Sequence, residues 1–345
     1  MRDKENNEIK LNHRPNEHLV LWGQSGQGKS YFICRQIEQE AKAGKKVLVL
    51  DYSGSYTEEE LEKNGIADRD QVKIWDICKT PQVWRVPSAK KEEYKAILAD
   101  SLAAALKIQS YGQMACLHRV LEDYLDRHLF FSFHYLFEDM KRFRETADIF
   151  DVPSDKEPLD KLLSRLCPYR GLENFYVHFC DGVDEYLDKP INVVQISGFS
   201  HKSRKFLTDF ILELLWHETR MSKSKRRFQT VVLDEIQFLS LNEDAAFSSM
   251  MREGRKYNLG VIAATQFLSA YEKAEIETLM QAGHMMVFKP NAKDLRASAK
   301  IISVEKAIEW QAVLKQLKVG EAVLLGEYHV NNRKKLAGTP IVCRI

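Results

Sequence analysis

Eight residues near the start of the chain, GQSGQGKS over 23–30, have the types and spacing of a phosphate cradle. Gly23, Gly26 and Gly28 let the backbone curl until its N–H groups face inward, where phosphate oxygens can accept from them. Gln24, Ser25 and Gln27 complete the loop. Lys29 carries a charge that reaches the outer phosphates of a nucleoside triphosphate, and Ser30 a hydroxyl that suits Mg²⁺. A helix beginning at about Lys29 adds the partial positive charge of its N-terminus. These eight residues do not say what becomes of the phosphate. A kinase, a switch and a motor can all begin this way.

Four further groups narrow the chemistry. VVLDEIQ ends a run of buried type in two acids. Asp234 is placed to face a Mg²⁺ ion, and Glu235 to polarise a water against the terminal phosphate. Such a pair alone can be a solvated strand end; paired with the cradle it favours hydrolysis over transfer to a small acceptor. VIAATQ closes in Gln266, at the end of a strand where α/β sheets gather ligands, so its amide can sense the phosphate or the attacking water. MREGRKYNLG carries Arg252 and Arg255 three apart, on one helix face if the helix passes Gly254. From the residues alone, a solvated helix end explains those arginines best, since cations belong there. DYSGSY, 51–56, reads as a loop.

The elements that must hold these groups alternate. HLVLW, KKVLVLD, QVKIWD, INVVQISG, FQTVVLDE, LGVIAATQ, MMVFK and EAVLLGE read as strands, most of them apolar throughout, and between several of them lie helical stretches. Continuously apolar strands alternating with helices predict a mainly parallel sheet covered on both faces. Between 90 and 189 the pattern changes. Met114, Leu117, Leu121 and Tyr124, then Leu159, Leu162, Leu163 and Leu166, recur at three- and four-residue steps, which predicts a mainly helical insertion. The expected organisation is a polar arm over 1–17, an α/β core over 18–89 and 190–345, and the insertion over 90–189.

The 345 residues carry a net charge of only +2 with 29% charged side chains. A chain that coats itself in nucleic acid would be more basic, so any DNA contact must be local. SKSKRR, with Lys223, Lys225, Arg226 and Arg227, is one such basic run, and reads more simply as a solvated loop. The six cysteines form no CxxC pair, so neither a zinc site nor a disulfide framework is expected. No apolar run reaches the ~20 residues of a membrane span and the first residues are polar, which suggests the cytoplasm.

Taken in order, GQSGQGKS, VLVLDYSGSY, INVVQISGFS, VVLDEIQFL, REGRKYNLGVIAATQ and LKVGEAVLLGEYHV resemble the FtsK–HerA superfamily of ring-forming ATPases. The likeness is greatest to HerA-like ATPases and the related conjugation and type IV secretion ATPases, over about 18–80 and 190–345. The resemblance implies a RecA-like P-loop NTPase core, ATP and Mg²⁺, a hexameric ring with sites at subunit interfaces, and movement of double-stranded DNA through the ring. Lys29 and Ser30 take the Walker A roles, Asp234 and Glu235 the Walker B roles, and Gln266 the sensor role. Arg252 or Arg255 becomes the trans-acting finger. DYSG lacks the proline usual at that stretch, which leaves Asp51 without an assigned role. The small β-barrel that often precedes the first strand of HerA-like proteins has no counterpart in the first seventeen residues.

The leading expectation is therefore an ATP-hydrolysing, helicase-like ring motor on double-stranded DNA, working with a partner nuclease or other effector in repair or antiviral defence. A nucleotide-controlled scaffold for a partner enzyme and a conjugative-transfer ATPase are the alternatives. Glu235 and Gln266 argue against a kinase.

Overall fold

The computed structural model describes all residues except 13–15, 67–68, 88–90, 148–155, 181–186, 222–226, 332 and 336–338. The chain forms two compact units. The first comprises Met1–Ile74, Lys189–Val193 and Phe228–Ile345, the second Trp75–Asp188 and Val194–Arg227.

The first unit is built on a mixed sheet with the strand order Val72–Asp76, Ile191–Gln195, Val47–Asp51, Thr230–Leu233, Gly260–Thr265, Leu19–Trp22, His284–Phe288, Glu321–Gly326, Ile341–Arg344 and Arg2–Asp3. From Val47–Asp51 to His284–Phe288 each neighbouring pair is parallel. The strands beyond, Glu321–Gly326, Ile341–Arg344 and Arg2–Asp3, pair antiparallel. The mainly parallel sheet read from the sequence is thus present, and its reason is visible. Every residue of Leu19–Trp22, Val47–Asp51, Thr230–Leu233 and Gly260–Thr265 is buried. Strands buried on both faces need apolar side chains at every position, not at alternate ones. Phe32, Ile33 and Ile37 of the helix Lys29–Lys42 join Leu21, Val49, Val232 and Ala264 in one apolar cluster. The polar arm is not a free tail: Arg2–Asp3 pairs with Ile341–Arg344, and Ile9–Leu11 with Tyr328–Val330.

The second unit holds the expected helices, Lys91–Leu106, Tyr111–Arg127, Phe133–Ala147 and Lys156–Leu166. It also holds a feature the leucine spacing did not announce, a three-stranded sheet in which Phe175–Cys180 lies between Gln82–Pro87 and Phe131–Ser132. The helix His201–Met221 belongs here too, although its sequence position suggested the α/β core. The cause is its aromatic face. Phe206 and Phe210 meet the Phe133 ring at 5.2 Å each, and Phe210 lies 5.8 Å from Phe131. The basic run also reads differently. Lys223, Lys225 and Arg226 lie outside the described residues, while Arg227 is buried, its Nε 3.3 Å from Glu218 Oε1 and its guanidinium 5.3 Å from the centre of the Trp84 ring. Arg227 is neither solvated nor open to a phosphate.

His18 ties the entry of the P-loop strand to the strand beside it. Its Nδ1 accepts from the Val261 N–H at 3.0 Å, which places the proton of the neutral ring on Nε2. The ring is buried, and burial with the nearby Arg255 charge pushes its pKa down to about 4. A histidine held neutral contributes stability that is present above its unfolded value of 6.5 and is lost as the pH falls toward 4. The loss by pH 5 should be about 2 kcal/mol. Chemical unfolding of the parent and of His18→Gln at pH 7 and pH 5 checks this: the parent should lose more stability between the two pH values, and equal losses would show that His18 does not titrate this way.

Candidate nucleotide site

The cradle forms as its glycines require. Gly23, Gly26 and Gly28 have φ values of +146°, +75° and +102°, all in the range that side chains disfavour. At Gly23 space is also short, because a Cβ would lie 2.6 Å from that of Phe288. Gly28 leads into the helix Lys29–Lys42, so the free N–H groups of its first turn open toward the loop. The Lys29 ammonium is buried and donates to the carbonyls of Gly23 and Gln24, at 2.6 and 2.9 Å. Burial lowers its pKa, and the charges of Asp234 and Glu235 oppose that shift.

The acids stand across from the loop. Thr230–Leu233 is parallel to Val47–Asp51, and Asp234 follows directly at its C-terminal end. Ser30 Oγ and the Tyr56 hydroxyl both donate to Asp234 Oδ2, each at 3.4 Å. Asp234 is buried, and that burial together with the neighbouring Glu235 charge raises its pKa to about 6. Tyr56, pushed well above the usual phenol range by burial, stays a donor. A serine hydroxyl beside a carboxylate is a hard oxygen set suited to Mg²⁺, and a buried acid whose ionisation is opposed by a second acid is where a divalent cation gains most.

Glu235 adopts a left-handed conformation, φ +60° and ψ +43°, from which the turn Ile236–Phe238 begins. That geometry costs a non-glycine residue about 1 kcal/mol or more. The carboxylate meets Gln266, whose Nε2 donates to Glu235 Oε1 at 2.5 Å. Lys29, Ser30, Asp234, Glu235 and Gln266 are therefore joined by contacts or charge within one unit.

Asp51, left without a role by the sequence, has one here. Its carboxylate accepts from the N–H groups of Gly54, Ser55 and Tyr56, at 2.8, 3.0 and 3.1 Å. This folds the loop back and sets Tyr56 toward Asp234. The signal was available: Asp followed three residues later by Gly is a turn in which the side chain caps its own backbone.

The two arginines are not brought to this cluster. The helix Ala246–Glu253 carries Arg252, which is exposed and donates to the Glu243 carbonyl at 2.7 Å. Arg255 is also exposed, on the 3-10 turn Gly254–Tyr257. The single helix face expected for the pair is interrupted at Gly254, where a Cβ would lie 2.9 Å from His18 Cε1. Sequence reasoning also missed Gln237, which donates to Glu235, and Thr265 and Tyr271, which follow it in a chain of hydrogen bonds.

No family model and no curated protein matches the sequence. Solved structures do match. VirB4 of Thermoanaerobacter pseudethanolicus is similar with a TM-score of 0.69 and 15% identity, over 100% of this chain and 94% of that one. The bacterial conjugative coupling protein TrwBdeltaN70, in its unbound monoclinic form, is similar with a TM-score of 0.68 and 15% identity, over 96% and 86%. Plasmid coupling protein TrwB in complex with ADP and Mg²⁺ gives 0.64 and 12%, over 95% and 84%. At these identities the likeness concerns the fold: this chain shares the α/β fold of VirB4 and TrwB.

Proposed function

We propose that the protein is a Mg²⁺-dependent ATPase of the FtsK–HerA kind that works as a ring; its cradle, acids and sensor amide all lie in one compact unit. The observation that carries this reading is the direct bond from Gln266 to Glu235 beside Lys29, Ser30 and Asp234. The loop N–H groups and Lys29 would bind the phosphates. Ser30 and Asp234 would hold Mg²⁺, which neutralises charge on the phosphates. Glu235 would take a proton from the attacking water as its oxygen bonds to the terminal phosphorus and the bond to the bridging oxygen breaks, releasing ADP and phosphate. The Gln266 amide would orient Glu235 as the base for that water. TrwB with ADP and Mg²⁺ supports the choice of nucleotide and ion.

The load is double-stranded DNA in this reading, gripped through its backbone by local basic groups and without sequence reading. Arg252 or Arg255, both exposed, would complete a neighbour's site as the trans-acting finger. The similarity to VirB4 and to conjugative coupling proteins favours conjugative transfer as the setting, ahead of a partner nuclease or effector in repair or defence. Among the described residues no helix is long and apolar enough to cross a membrane.

Phosphate release measured with and without duplex DNA tests the activity. Lys29→Ala should lower turnover at least 100-fold, and Glu235→Gln by about 10²–10³-fold while keeping affinity for a non-hydrolysable ATP analogue. Parent turnover equal to that of Lys29→Ala in both conditions would end the ATPase reading. Stimulation by DNA should be several-fold, and its absence would remove DNA as the load. Light scattering with and without ATP and Mg²⁺ should show a closed ring of several copies in their presence; a monomer under both conditions would exclude sites completed by a neighbour's arginine.

A further inference from the structure

Glu235 is held by two amides, not one. Gln266 donates to Oε1 at 2.5 Å, and Gln237, in the turn that Glu235 itself opens, donates from Nε2 to Oε2. Each carboxylate oxygen thus receives one amide proton and keeps lone-pair capacity for a water. An amide can be inverted, so something must fix which end of Gln237 faces the acid. Thr265 does this. Its hydroxyl lies 2.9 Å from Gln237 Oε1, nearer than the alternative acceptor, the Phe267 carbonyl, at 3.3 Å. The Thr265 oxygen in turn accepts from the Tyr271 hydroxyl at 2.9 Å. Burial holds the Tyr271 phenol above its usual range, so it keeps the proton it donates.

A hydroxyl has one proton, which gives the chain a direction: Tyr271 to Thr265, Thr265 to Gln237, Gln237 to Glu235. Reversing any link would set two acceptors, or two protons, against each other. Thr265 is fully buried at the end of the strand Gly260–Thr265, and Tyr271 is six residues further on, so the relay runs from a rigid strand into the acid. Glu235 needs such support, because its left-handed backbone does not by itself fix where the carboxylate points.

We propose that Thr265 and Tyr271 are positioning residues that act through Gln237 to orient the Glu235 carboxylate toward the attacking water. This rests on the hydrolytic reading of the site. None of the three need touch nucleotide, so their effect should fall on turnover and not on binding.

Two substitutions of Thr265 separate this from a packing role. Thr265→Val keeps the volume and removes the hydroxyl; Thr265→Ser keeps the hydroxyl and removes the methyl. At saturating ATP, Thr265→Val should lose about tenfold in turnover, and Thr265→Ser should stay within about twofold of the parent. KM, and the affinity for a non-hydrolysable ATP analogue with Mg²⁺, should change by no more than about twofold in either. Tyr271→Phe should lower turnover, and combined with Thr265→Val it should add little, because both break one chain. A loss in Thr265→Ser as large as in Thr265→Val, a fall in analogue affinity parallel to that in turnover, or multiplied losses in the double variant would each overturn the assignment. A parent that hydrolyses no ATP overturns the reading of the site and this assignment with it; a hydrolysing parent matched by Thr265→Val overturns the assignment alone.

Discussion

Two adjacent carboxylates stand at the end of a fully buried strand, and the rest of the site is arranged around that fact. Taking one carboxylate out of water costs several kcal/mol, and a second beside it adds repulsion. The rise of the Asp234 pKa to about 6, against the depression usual for a paired acid, shows that its partners offset only part of the cost. Those partners are neutral donors, the hydroxyls of Ser30 and Tyr56, with the Lys29 charge further off. Glu235 is likewise met by amides and not by a cation. A site that needed only to be stable would set an arginine there. Neutral donors leave negative charge uncompensated, which is the condition under which a divalent ion would gain most.

Much of this was legible in the residues, for identifiable reasons. The cradle was readable because positive φ values leave glycine as the residue of choice, and the loop needs three of them at fixed spacing. The parallel sheet was readable because strands buried on both faces have unbroken apolar sequences. Asp234, Glu235 and Gln266 were readable because each follows such a run. What hid was set by contacts between distant segments. Nothing near Gln237 in sequence indicates that Thr265, 28 residues on, turns its amide. Position 254 has no room for a side chain because of His18, which precedes it by more than two hundred positions, and of the Leu259 carbonyl.

The second unit shows the same limit in another form. Leucine spacing identified its helices but not the small sheet among them, since the pairing of Gln82–Pro87 with Phe175–Cys180 joins residues far apart in the chain. Arg227 misled for a related reason. In sequence it closes a basic run, yet its guanidinium is buried against Trp84 and Glu218. Charge type gives the chemistry a residue can do; only its neighbours say whether it is free to do it.

The same competition governs Lys29. Its ammonium already has two acceptors, the carbonyls of Gly23 and Gln24, within the loop it belongs to. Hydrogen bonds to a charged group are each worth about 1.5–3 kcal/mol, so a phosphate must offer more than both to draw the lysine away. A triphosphate can, because it brings full negative charge to a buried cation and accepts from the loop N–H groups at once. A single weak anion gains less on each count. The two carbonyls thus set what a phosphate would have to replace at Lys29.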